Sequence, residues 1–95
     1  MNLRKALEKH GFKVERMSYG WFISQYTPAG EDWGLTFSPL KEFIEYAEEY
    51  DPEQDFGVWM EARYHGTKGI PSPSELWKDQ LWKQETLNKV LEEIK

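Results

Sequence analysis

Residues 12–37 read FKVERMSYGWFISQYTPAGEDWGLTF, and this stretch decides the fold. Phe12 and Val14 alternate with Lys13 and Glu15, the two-residue period of a half-buried strand over 12–17. Ser18-Tyr19-Gly20 supplies a turn. Trp21 to Tyr26 is rich in aromatic and β-branched residues and makes a second strand. Pro28 and Gly30 break the pattern over 27–32. Trp33, Leu35 and Phe37 then alternate as a third strand. Connections this short favour an antiparallel meander.

Before the meander, Leu3, Ala6 and Leu7 take helical spacing over 2–10, with Asn2 as cap and Gly11 as stop. After it, Ser38 suits an N-cap and Pro39 the first helical position. Leu40, Phe43, Ile44 and Ala47 form the apolar stripe of that helix. Asp51-Pro52-Glu53-Gln54 opens a further helix through a capping box, with Phe56, Trp59, Met60 and Arg63 at helical spacing and Gly66 at its end. Thr67 to Pro71 reads as a loop. Ser72-Pro73-Ser74-Glu75 opens a last helix of about 20 residues. The sequence thus predicts an α+β domain: a three-stranded antiparallel β-meander packed with a short N-terminal helix and three later helices.

Ninety-five residues accommodate one domain, 1–95. The chain has no cysteine, which excludes disulfides, thiol chemistry and cysteine-ligated zinc. Fifteen aromatic residues, five of them Trp, exclude a disordered chain. No apolar run reaches membrane-spanning length and no signal-like stretch opens the chain, so a cytoplasmic protein without a membrane partner is expected.

Enzymatic motifs are missing. There is no Gly-x-Ser-x-Gly elbow, phosphate loop or dinucleotide fingerprint. Asp51-x-Glu53-x-Asp55 imitates the start of a calcium loop, but Phe56 replaces the glycine and Ala62 the closing glutamate. His10 and His65 are the only histidines, too few for a structural zinc site. His65 beside Gly66 is better read as complementing a helix dipole than as a general base. No enzyme activity, metal or cofactor is expected.

The charge is uneven. The net charge is −5, yet residues 31–61 hold ten acids against Lys41 alone. Arg4, Lys5, Lys9, Lys13 and Arg16 lie in the first third. A concentrated field of one sign steers oppositely charged partners. Glu42, Glu45, Glu48 and Glu49 fall off the apolar stripe of their helix, and Glu53 and Asp55 follow on the next. These six are the expected partner-binding carboxylates. Trp82 joins them: at 100° per residue it lies about 160° from the face bearing Leu76, Trp77, Leu81, Leu87, Val90, Leu91 and Ile94. Beside Lys78, Asp79, Lys83 and Glu85 it is expected to be well exposed, anchoring a partner or a symmetric dimer. Trp21, Phe22, Tyr26 and Trp33 offer stacking platforms for bases, but an acidic chain without a basic run makes direct nucleic-acid binding a weaker expectation. A small-ligand pocket between sheet and helices is the other alternative.

One resemblance bears on function. Tyr50-Asp51-Pro52-Glu53, then Trp59-Met60-Glu61-Ala62-Arg63, Gly66, Gly69-Ile70-Pro71-Ser72, Leu76 and Asp79, within 38–80, resemble short acidic proteins of phages and other bacterial mobile elements. By analogy of size and charge, the resemblance implies an anti-defence protein of the anti-CRISPR or anti-restriction kind, some of which mimic DNA phosphates with carboxylates. The expected partner is then a host protein, a nucleic-acid-processing defence complex.

Overall fold

The computed structural model describes residues 1–64 and 72–95. The element order is α1 (Leu3–Lys9), β1 (Lys13–Met17), β2 (Gly20–Tyr26), β3 (Asp32–Phe37), α2 (Glu42–Glu49), α3 (Pro52–Tyr64) and α4 (Pro73–Ile94). The strands form an antiparallel sheet in the order β1-β2-β3, as the alternation predicts. The expected end of α3 at Gly66, the loop from Thr67 to Pro71 and the role of His65 lie outside the described residues.

Pairing Val14↔Ile23↔Leu35 sets the register and turns every second side chain to one face. That face carries Phe12, Val14, Ile23 and Trp33 into the core, where Ala6 and Leu7 of α1, Phe43 and Ala47 of α2, and Leu87 and Val90 of α4 meet them. Fully burying an Ile or Phe contributes about 1.5–3 kcal/mol, so this cluster supplies most of the fold's stability. Aromatic rings tie it together: Phe12 lies 5.0 Å from Trp33, and Phe37 5.9 Å from Phe43, near edge-on. Lys13, Glu15, Phe22, Ser24, Tyr26 and Thr36 occupy the opposite face by the same register. Of the four aromatics named as stacking platforms, Trp21 and Trp33 therefore lie on the core face and Phe22 and Tyr26 on the other.

Several helix starts follow the sequence chemistry. Asn2 accepts from the Lys5 amide at 2.9 Å, Asp51 from the Glu53 amide at 3.0 Å, and Ser72 from the Glu75 amide at 3.3 Å. The expected start at Ser38-Pro39 is corrected. Those residues turn, and α2 begins at Glu42 with Lys41 at its N-cap, without a side-chain cap. The amides of Glu42, Phe43 and Ile44 bond to the carbonyls three residues back, on Pro39, Leu40 and Lys41. A tight lead-in turn thus replaces the proposed first helical turn.

The face of α4 is also corrected. Asp79, Gln80, Lys83 and Thr86 are buried with Leu76, Leu87 and Val90, whereas Leu81 is 42% exposed. Helices α1, α2 and α3 all contact α4, so it is wrapped on more than one side. Its buried arc is centred near Lys83, which leaves Leu81 opposite. Trp82 falls at the edge of the arc and is half-buried, its ring 5.9 Å from Trp33. The expectation of a well-exposed Trp82 fails. The apolar residues of α4 alone do not mark its buried face, because Asp79, Gln80, Lys83 and Thr86 share it.

Candidate binding surface

Helix α2 forms because Phe43 and Ala47 are buried on one side. This aims Glu42, Glu45, Glu48 and Glu49 at water, all exposed. Glu53, in the first turn of α3, is exposed too. Among the described residues, none of these five carboxylates enters an ion pair. The result is an acidic ridge along α2 that continues onto the start of α3.

The ridge carboxylates do little for the helix that carries them. Glu48 and Glu49 sit at the C-terminal end of α2, where the helix dipole is negative and no basic residue offsets them. Glu45 and Glu49 are four apart, a like-charged spacing that costs about 0.2–0.5 kcal/mol. Only Glu42 and Glu45, in the first turn, suit the dipole.

Behind the ridge, an open cleft of about 300 Å³ is lined by Tyr46, Glu49, Tyr50, Asp51, Asp55 and Val58. Of the expected site residues it brings Glu49 and Asp55 together; the other ridge carboxylates and Trp82 do not line it. It lies along α2 and α3, not between sheet and helices as a ligand pocket was expected to lie. Its wall is built from beneath by buried polar groups. Lys83 is 1% exposed and donates to Asp55 Oδ2 at 3.2 Å. The Tyr50 hydroxyl donates to the same oxygen at 2.8 Å and lies 3.1 Å from Gln80 Oε1. Gln80 in turn donates through Nε2 to the Leu76 carbonyl at 3.0 Å. The Lys83 ammonium also sits 5.4 Å from the Trp33 ring centre and 5.0 Å from that of Trp59.

Asp55 is therefore a correction to the expected set. Its carboxylate is turned inward and paired, so it does not belong to the free acidic surface. On α3, Phe56, Trp59 and Met60 are half-buried, and the Trp59 ring covers the buried lysine. Trp82 is likewise part of the protein's own packing and does not present a free anchor.

Burial, together with the nearby Asp55, pushes the Tyr46 hydroxyl up to about 12, although a hydrogen bond with Trp33 opposes the shift. Burial and the bond to Asp55 raise Tyr50 further. Both hydroxyls stay protonated at neutral pH: Tyr50 donates to Asp55, Tyr46 accepts from the Trp33 indole, and neither serves as a base.

A second polar centre fixes the loop after β2. Thr27 Oγ1 donates to Asp79 Oδ2 at 2.5 Å, Asp79 Oδ1 accepts from the Ala29 amide at 3.2 Å, and the Glu31 amide donates to Thr27 Oγ1 at 3.0 Å. His10 approaches Glu93 at 3.4 Å, but Lys9 holds the same oxygen at 2.8 Å, a surface clasp between α1 and α4. Among the described residues, no group of three or more His, Asp or Glu side chains is placed to hold a metal ion. No helix of the described residues is long and apolar enough to cross a membrane.

The residues missed from sequence are Tyr46, Tyr50, Asp51, Val58, Gln80 and Lys83. Tyr46 and Tyr50 carried a signal in their four-residue spacing on the ridge helix. Lys83 carried none, because lysine is almost never fully buried. No family model, curated protein or solved structure matches the chain.

Proposed function

We propose that this protein is a non-enzymatic binding protein, an inhibitor or adaptor of a phage or other mobile element, whose acidic ridge docks on a basic groove of a host nucleic-acid-processing defence complex. The observation that carries the proposal is the placement of Glu48 and Glu49. They stand at the negative end of α2, exposed, unpaired among the described residues and near a third carboxylate, Glu45. Such placement works against the helix, so an external positive partner is the natural counterpart. Glu42 and Glu53 extend the field to both sides. A row of carboxylates on a folded helix presents negative charge as a phosphate backbone does, and steers association with a groove built for nucleic acid. The proposed site of action is the host cytoplasm.

The test is affinity capture from bacterial lysate, comparing the native chain with Glu45→Lys/Glu48→Lys/Glu49→Lys. Captured proteins should elute with rising salt and with duplex DNA as competitor, and the triple variant should not retain them. Capture that is indifferent to duplex DNA and to the reversal overturns the proposal.

A further inference from the structure

At the far end of the sheet from the β2–β3 loop lies a second cleft, of about 360 Å³, lined by Arg16, Ser18, Tyr19, Gly20, Trp21 and Pro39. Its chemistry is opposite to that of the ridge. Arg16 is paired across the strands with Trp21, and its guanidinium carbon lies 5.2 Å from the indole centre. Arg4, reaching over from α1, lies 5.7 Å from the same ring. Two guanidiniums are thus held by one indole, no more than about 11 Å apart. Arg4 keeps a long, exposed contact with Glu8 at 3.7 Å. Arg16 is exposed and has no carboxylate partner among the described residues.

The floor and the rim are as specific as the charge. Gly20 has φ +139, and a Cβ there would fall 2.7 Å from the Phe37 carbonyl oxygen and 2.9 Å from Ser38 Cβ. Only glycine lets the β1–β2 turn seat on the chain leaving β3, and this seating makes the cleft. Tyr19 stands at the rim, 60% exposed. Ser18 and Ser38 also line the cleft. A chain of net charge −5 therefore offers a guanidinium, two hydroxyls and an open aromatic ring at one place.

We propose that this cleft binds a nucleotide, with its phosphate on Arg16 and its base on Tyr19. A guanidinium matches phosphate through paired N–H donors, and Ser hydroxyls add neutral donors. The flat exposed ring separates this ligand from a bare anion, because every base has a face to stack on it. The nucleotide is free or part of a single strand, and the two share this chemistry. The inference does not rest on the acidic ridge. Direct nucleotide contact is the weaker expectation from the sequence, and the cleft places it on Arg16 and Tyr19 rather than on the sheet aromatics Trp21, Phe22, Tyr26 and Trp33.

The experiment is an amide chemical-shift titration at low ionic strength with four probes: inorganic phosphate, adenosine monophosphate, oligothymidylate and a polyglutamate peptide. The native chain should show saturable shifts at residues 16–21 and 38 with the monophosphate or the oligonucleotide. Tighter binding of the oligonucleotide marks a strand as the ligand, and equal binding marks the free nucleotide. Arg16→Gln and Tyr19→Ala should each weaken binding about tenfold or more at unchanged melting temperature, since both side chains are exposed. The ridge reversal Glu45→Lys/Glu48→Lys/Glu49→Lys should not weaken it, which separates this site from the other. Phosphate binding as tightly as the nucleotide, preference for polyglutamate, shifts indifferent to Arg16→Gln, or no saturation with any probe would each overturn the proposal.

Discussion

Helices α2 and α4 are both rich in charge, and they use it in opposite ways. In α2 the four glutamates face water while apolar residues hold the core. In α4 a lysine and an aspartate go inside, each tied to a different part of the fold. The difference comes from how many neighbours each helix has. Helix α2 needs one buried side, so a simple apolar stripe suffices. Helix α4 is contacted by α1, α2 and α3, and its buried arc outgrows its apolar residues. Charges placed inside must be paired, and so they hold position; charges left outside are free to meet a partner.

The sharpest way to break this contrast is at Lys83. Lys83→Ala removes a buried cation, leaves Asp55 without its counter-charge and opens a cavity between Trp33 and Trp59. It should cost about 3–5 kcal/mol, enough to unfold much of a small domain at room temperature. Denaturant titration measures it. Lys83→Met with Asp55→Leu should recover most of the loss, since a well-packed apolar pair often replaces a buried ion pair without penalty. No recovery would mean that the pair does more than balance charge.

Trp82→Ala comes next. A half-buried indole against Trp33 should contribute about 2 kcal/mol, below the range for fully buried aromatics. A loss near zero by thermal melting would restore Trp82 as a free anchor. Thr27→Val should cost about 1–2 kcal/mol, because it strands Asp79 and the Glu31 amide in a buried setting. Hydrogen exchange at Ala29 and Glu31 would report the loosened loop.

How much of this was legible follows the same divide. The meander, its register face and the caps at Asn2, Asp51 and Ser72 were readable, because each depends on local chemistry within a few residues. The outward glutamates of α2 were readable for the same reason. The inward Asp55, the half-buried Trp82 and the buried Lys83 were not. Each depends on which elements surround it, and no helical wheel contains that information. Ser38-Pro39 misled in another way: a sound capping signal lost to the tight turn that follows it.

The smallest effects belong to the exposed side. Reversing Glu45, Glu48 and Glu49 to Lys should leave stability within about 0.5 kcal/mol per site, and the changes at Glu48 and Glu49 should be slightly favourable at the negative helix end. A large destabilisation by thermal melting would show that the ridge has a structural role. Glu93 gives a pH test. The hydrogen bond from Lys9, with His10 beside it, holds Glu93 below its ordinary value of 4.5. A lowered carboxylate contributes above its unfolded value and loses that contribution as pH falls through the folded one. The α1–α4 clasp should therefore hold above pH 4.5 and weaken below it. Glu93→Gln should flatten that part of the melting-temperature profile.

Asp55 Oδ2 receives both Tyr50, just past the end of α2, and Lys83 of α4, while itself belonging to α3. Three helices thus meet at one oxygen atom. None can swing away alone without breaking a bond that another depends on, so local opening of this region is a joint event. Amide protons in the last turn of α2, the first turns of α3 and the middle of α4 should exchange with one shared opening free energy. In Asp55→Asn, which lacks the charge to hold Lys83, the three sets should part, with α3 exchanging first and the sheet retaining its protection.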